Sequence, residues 1–197
     1  MADSLYLNLW WPSFNEADMM LRVECVLRQF PFSRQHPGIS YLAVHSLSWN
    51  EPIVSQQILD DQAPPQEAVA LASEFLHDDN GYIFEARWDL WSPGSEYDSW
   101  VKQPHKIKFL VHGINFDGGI YNENGHVQID FGLDSDFLFE DVELTEIGQE
   151  RVKENVAKLV AFSAAIEKNC GVSARLLWSE SEENLAQKLI GRLQKLN

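Results

Sequence analysis

Two predicted strands carry polar side chains whose types suit proton transfer or the binding of a small polar ligand. The first strand spans Tyr82–Trp91 and the second spans His126–Gly132, and polar and apolar side chains alternate along both. Alternation puts each polar set on one face of its strand. If the strands are neighbours, their polar side chains form one patch opposite the helices. The six candidate residues are Glu85, Arg87, Asp89, His126, Gln128 and Asp130.

The same pattern has a plain structural explanation. One face of an antiparallel sheet is often solvated, and opposite charges on adjacent strands then pair with each other. The sequence therefore leaves two interpretations open, a ligand site and an ordinary polar sheet face.

Standard catalytic and cofactor motifs are missing from the chain. It contains no GxGxxG or GxxxxGK[ST] loop, no HExxH, no GxSxG and no CxxC. A calcium loop counted from Asp130 fails as well, because position six is Ser135 rather than glycine and position twelve is Asp141 rather than glutamate. The sequence thus favours a protein that is not an enzyme, and it predicts no cofactor and no metal.

The net charge of the chain indicates which classes of partner to expect. The chain has 197 residues, with 30 acidic and 15 basic side chains and a net charge of −15. Between Lys108 and Arg151 there are ten acidic residues and no Lys or Arg. An acidic surface repels phosphate backbones and anionic lipids, so we expect neither nucleic acid nor membrane as a partner. A basic protein partner fits the charge, as in inhibitors of the immunity-protein type.

Periodicity predicts an α+β fold. The first half reads as strand, helix, strand, strand, helix and strand, which is the βαββαβ order of a ferredoxin-like unit with helices on one face of a mostly antiparallel sheet. Its first helix begins at a capping box formed by Ser13 and Glu16. The polar segment Ser92–Gln103 is interpreted as a loop or linker. The second half reads as ββαβα, with Thr145 capping a long helix.

We interpret the chain as one α+β domain spanning residues 1–197, in which the ββαβα half extends the ferredoxin-like half. Two packed subdomains, 1–92 and 105–197, are the alternative. This order of elements is an architectural analogy and says little about function.

The chain contains seven tryptophans. Both faces of the first strand and of Tyr82–Trp91 carry large aromatic side chains, more than helices on one side of a sheet can cover. The excess needs a second covering surface, for which the chain itself, a second copy or a ligand are the alternatives.

The two cysteines, Cys25 and Cys170, are expected to be separate reduced thiols, although one disulfide between them is possible. The N-terminus lacks the basic and apolar regions of a signal peptide, and no apolar run is long enough to span a bilayer. Together these features predict a cytoplasmic protein.

Three functional hypotheses follow from the sequence. The leading one is a non-catalytic binding or self-associating domain that forms a homodimer. The second is a small-molecule-binding domain or enzyme that uses the six candidate residues. The third is an acidic protein that covers a basic partner.

Overall fold

A computed structural model of the chain describes residues 3–96, 98–139, 143–180 and 184–194. The fold is α+β, and its strands form one antiparallel sheet of seven strands. Alternating apolar residues favour these strands, because each strand can then bury one face. The strands are β1 (Ser4–Trp10), β2 (Ile39–Ser46), β3 (Ile53–Ala63), β4 (Asn80–Pro93), β5 (Trp100–His112), β6 (Val127–Leu133) and β7 (Ala174–Ser179).

Helices connect most of these strands. Thr145 caps the longest one as predicted, since its side chain accepts a hydrogen bond from the Gly148 N–H. No helix in the described ranges combines the length and apolarity needed to cross a membrane. The helices are α1 (Met19–Gln29), α2 (Pro65–Ser73), α3 (Tyr121–Asn124), α4 (Ser135–Leu138), α5 (Glu146–Asn169) and α6 (Leu185–Gln194).

The strand order is β3-β2-β4-β5-β6-β1-β7, which does not confirm the ferredoxin-like arrangement. The strand β1 pairs with β6 and β7 from the second half of the chain, and β5 and β6 separate it from β4. Strands from both halves therefore share one sheet. The prediction failed because element order along the chain does not determine which strands become neighbours.

One face of the sheet, here called the helix face, carries the core. Trp88 of β4 is fully buried at its centre, with ring centroids 5.7 Å from Phe30, 5.3 Å from Phe131 and 6.4 Å from Phe162 of α5. Stacked and edge-on aromatic pairs at these distances stabilise a core beyond the area that they bury. The strand β1 adds Leu5, Leu7 and Leu9, all fully buried.

The opposite face, here called the open face, is partly covered by the connection between β5 and β6. Trp10 of β1 donates from Nε1 to the Tyr121 carbonyl oxygen of α3 at 2.9 Å. Asn8, on the same face of β1, donates to the Glu123 carbonyl oxygen at 3.4 Å. The expectation that helices lie on one face is therefore incomplete, because α3 lies on the other.

The interpretation of Ser92–Gln103 as a loop or linker is wrong. Ser92 and Pro93 end β4 and residues 100–103 begin β5, and these two strands pair from Gly81 with His112 to Pro93 with Trp100. Pro104 lies inside β5, opposite Asp89. A proline has no N–H to donate to a neighbouring strand. At Pro104 this interrupts no hydrogen bond to β6, because β5 pairs with β6 only over Lys108–Val111.

Candidate functional site

The six candidate residues lie on two strands that are not neighbours. The strand β5 separates β4 from β6 and inserts its own side chains between them. Glu85 pairs in register with Lys108, and Lys108 pairs with Asp130, so the three lie in one row across the open face. The polar patch therefore contains a cation, Lys108, that is not among the six candidate residues.

One ion pair lies at the end of this row, between Glu85 and Lys106 of β5. The Lys106 ammonium lies 2.7 Å from the Glu85 carboxylate, whose side chain is only 14% exposed. Asp130 accepts a hydrogen bond from the Gly132 N–H at 2.9 Å. Glu85 and Asp130 flank Lys108 in the register of the sheet, an alternation of charges that stabilises neighbouring strands.

Arg87 and Asp89 have different surroundings although they share a strand face. Arg87 lies opposite Lys106, and its buried Nε has no hydrogen-bond partner among the described residues. Asp89 lies at the edge of β4, where its carboxylate accepts from the Arg34 N–H at 3.1 Å. Burial would raise the Asp89 pKa, but hydrogen bonds from Ser33 and Arg34 outweigh it and lower the pKa. The Asp89 carboxylate therefore attaches the segment of Ser33 and Arg34 to β4, which is a structural role.

His126 and Gln128 are buried on the open face near α3. His126 accepts a hydrogen bond from the Trp11 N–H at Nδ1 and stacks on Phe14 and Tyr121, with ring centroids 4.7 and 4.6 Å away. Gln128 donates to the Asn8 side chain at 3.1 Å. One polar atom of each side chain is thus hydrogen-bonded within the fold.

Burial also sets the charge of the two neighbouring histidines. Burial, with a smaller contribution from the nearby His112, lowers the pKa of His126 to about 4. The pKa of His112 is lowered by its own burial, although a hydrogen bond with the Gly125 carbonyl oxygen opposes that shift. Both rings are therefore neutral at pH 7, which suits structural hydrogen bonds better than acid–base catalysis.

The structure brings only part of the candidate set together. Glu85, Arg87 and Asp130 share the open face with Lys106 and Lys108 of β5, whereas Asp89 is at the strand edge and His126 and Gln128 are buried. The two lysines were missed although their alternation within β5 could have placed them on this face. The resulting surface has both signs of charge.

The acidic run does not form a metal centre in the described part of the chain. No group of three or more His, Cys, Asp or Glu side chains there is arranged to hold a metal ion. Asp134 accepts from the Ser179 hydroxyl at 2.7 Å, and Asp136 lies 3.2 Å from the His105 ring. Glu140 and Asp141 lie outside the described residues.

All seven tryptophans are buried or half-buried within the single chain. Trp91 illustrates how the chain covers them, because its ring lies between Lys102 and Arg151, 5.0 and 4.0 Å from its centroid. Its Nε1 donates to the Glu154 carboxylate at 2.6 Å. Of the three covering surfaces considered, the chain itself accounts for these rings, so they no longer argue for a dimer.

The expectation of two separate thiols is wrong. Cys25 of α1 and Cys170, which caps the C-terminus of α5, form a disulfide with Cα atoms 5.6 Å apart. That separation falls within the usual range for a disulfide. Packing between α1 and α5 brings the cysteines together, which a separation of 145 residues in the sequence does not reveal.

Comparison of the chain with protein-family models, with curated proteins and with solved structures finds no match.

Proposed function

We propose that this protein is a non-catalytic binding domain that forms a homodimer by pairing of its edge strand β3. The observation that carries the proposal is the composition and exposure of this strand. Its segment 53–59 has no charged residue and no proline, and Ile58 is 84% exposed. Long, uncharged edge strands with exposed apolar side chains readily pair with another strand.

A second copy fits this edge through a self-complementary register. If two β3 strands pair antiparallel about Gln56, Val54 of one copy lies opposite Ile58 of the other, and this contact occurs twice. The same register puts Asp60 opposite Pro52, which keeps the Asp60 carboxylates of the two copies apart. Such a contact has two-fold symmetry, as most homodimers do.

The other edge of the sheet favours this choice. The strand β7 is six residues long and carries Arg175, whose guanidinium bonds the Glu167 carboxylate at 2.7 Å. Short edge strands with charged residues resist pairing with another chain. The strand β3 has eleven residues and pairs only with β2, with register shifts near both ends, and its uncharged part is the seven-residue segment 53–59. The sheet therefore has one protected edge and one edge suited to association.

Sedimentation velocity over a wide concentration range tests the proposal. Because strand pairing buries a small area against a large entropic cost, we expect a dissociation constant in the micromolar range. Ile58→Lys should abolish the dimer. Leu176→Lys is the matched control, since it removes a half-exposed aliphatic side chain from the protected edge β7. A wild-type protein that stays monomeric at every concentration, or an Ile58→Lys variant that still dimerises, contradicts the proposal.

A second candidate function is the binding of a small polar ligand by the open face. The buried, unpartnered Nε of Arg87 favours it, because a ligand carboxylate would satisfy that group. A thermal-shift screen of small carboxylates with the wild type and Arg87→Gln tests the idea. Stabilisation that persists in Arg87→Gln counts against it.

The basic protein partner and the cytoplasmic location stay predictions. Asp134 and Asp136 bind groups of the protein itself, which weakens the acidic run as a surface for a basic partner. Disulfides persist mainly in oxidising compartments, so the Cys25–Cys170 bond argues against the cytoplasm. Titration of free thiols in protein from its native cells would test the location.

A further inference from the structure

A small pocket lies where the tip of the β4–β5 hairpin meets the segment before α5. Its volume is about 190 Å³, below the roughly 300–1,000 Å³ of typical ligand pockets, so it has room only for a very small molecule. It shares no residue with β3 or with the six candidate residues. The side chains that matter here are three apolar ones, Trp100, Phe139 and Leu144, and three carboxylates, Glu96, Asp98 and Glu143.

Two aromatic rings form a corner of this pocket. The rings of Trp100 and Phe139 have centroids 5.3 Å apart and planes inclined at 67°. Gly148 of α5 makes room for the indole, since a Cβ there would lie 3.1 Å from the Trp100 ring. Phe139 has a φ of 44°, a left-handed conformation that bulky residues rarely adopt. The two rings meet edge to face at the pocket wall. Alkylated ammonium groups bind against the faces of aromatic rings, so these two side chains supply a surface of the right kind.

The charge at the pocket has one sign. Three carboxylates line it, and none of its described lining residues carries a positive charge. The N-terminus of α5 adds roughly half a positive charge, which one carboxylate more than offsets. Thr145 connects the two features, because it caps α5 and donates a hydrogen bond to the Asp98 carboxylate. The described lining therefore has a net negative charge, although the Arg192 guanidinium lies nearby and donates to the Phe139 carbonyl oxygen at 3.0 Å.

We propose that this pocket binds a small organic cation, a quaternary ammonium or an alkylated amine, with the alkyl groups against Trp100 and Phe139 and the carboxylates supplying the counter-charge. Other ligand classes fit less well. An anion is repelled by three carboxylates. A bare metal ion needs a shell of oxygen or nitrogen ligands that aromatic walls do not provide. A neutral apolar molecule gains nothing from the acidic rim.

Calorimetric titration with choline and with its neutral isostere 3,3-dimethylbutan-1-ol separates charge from shape. Choline should bind at least about fivefold more tightly, because a cation over an aromatic face gains attraction that a neutral group lacks. Binding should also weaken as salt rises, since the rim carboxylates are partly exposed. Equal binding of the two probes, or no binding of choline in the wild type, overturns the proposal.

Two variants place the binding at this pocket. Glu143→Gln should weaken choline binding, whereas Glu51→Gln, an equal change of charge at an exposed turn outside the pocket, should not. Both glutamates are exposed, so neither variant disturbs the core. Trp100→Leu should remove choline binding, and its thermal unfolding is measured alongside to show that it folds. Identical choline affinities in Glu143→Gln and Glu51→Gln would overturn the assignment, as would unchanged affinity in a folded Trp100→Leu.

Discussion

Removal of the disulfide between Cys25 and Cys170 should cost the protein a large part of its stability. The bond joins α1 to the C-terminus of α5 and closes a loop across 145 residues of sequence separation. In the chain-entropy model, a loop of that length restricts the unfolded state by about 5 kcal/mol at 25 °C. The total stability of a domain is typically about 5–15 kcal/mol, so the expected loss is a substantial fraction.

Thermal unfolding of the wild type with and without reductant measures this loss. For a chain of this length, 5 kcal/mol corresponds to a fall in Tm of roughly 10–20 °C. The double variant Cys25→Ser with Cys170→Ser should unfold at the lower temperature in either condition. The helices α1 and α5 also pack against each other, and the Asn169 side chain donates a hydrogen bond to the Gln29 side chain at 2.8 Å. We expect these contacts to remain in the reduced wild type and in the double variant.

Two results would refute this reasoning. Titration that finds two free thiols in the protein under non-reducing conditions shows that the bond does not form. A Tm that is unchanged after complete reduction shows that the bond does not restrict the unfolded chain as the loop-closure argument requires. A reductant effect of equal size in the double variant would indicate that the reductant acts elsewhere.

Two further predictions concern buried polar groups. Because burial lowers the pKa of His126 to about 4, the unfolded chain binds more protons than the folded one between about pH 6.5 and 4, so stability is lost as pH falls through that window. Urea unfolding should show a slope of up to about 1.4 kcal/mol per pH unit for this group, and the same slope in His126→Asn would contradict it. Asn155 of α5 is 2% exposed and bonds both the N–H and the carbonyl oxygen of Trp91. Asn155→Leu should lower the unfolding free energy by about 3 kcal/mol through unsatisfied backbone groups, and a loss below about 1 kcal/mol would contradict this role.

The sequence predicts most elements of this fold but not their neighbours. Alternation identified β4 and β6, and it separated the buried apolar face of β4 from its more polar face, because burial of one face imposes a period of two. In β6 both faces are partly buried. It could not show that β1 lies between β6 and β7, since alternation contains no information about the partner of a strand. The first helix also begins later than predicted, at Met19, because Ser13 bonds the Asp18 carboxylate rather than capping a helix turn.

The candidate site was limited by the same lack of pairing information. Glu85 and Asp130 lie on the open face, yet the cation between them, Lys108, comes from β5, whose position in the sheet was unknown. Burial of His126 depends on α3 and on the segment that contains Phe14, which no local pattern connects to β6. A polar residue on the correct face of a strand can therefore be either a surface group or a buried structural one.

The position of β1 explains why the tryptophan argument failed. Its partners β6 and β7 come from the second half, so the sheet is wider than a four-stranded ferredoxin-like unit and the β5–β6 connection reaches across it. That connection covers Trp10, while cationic side chains cover Trp91. The apolar surface that remains uncovered is aliphatic, and Ile58 on β3 is its most exposed large residue. The argument for self-association therefore rests on the edge of the sheet and no longer on its face. The edge strand β3 has backbone N–H and C=O groups that can pair with a second copy, which aromatic side chains on the sheet face cannot provide.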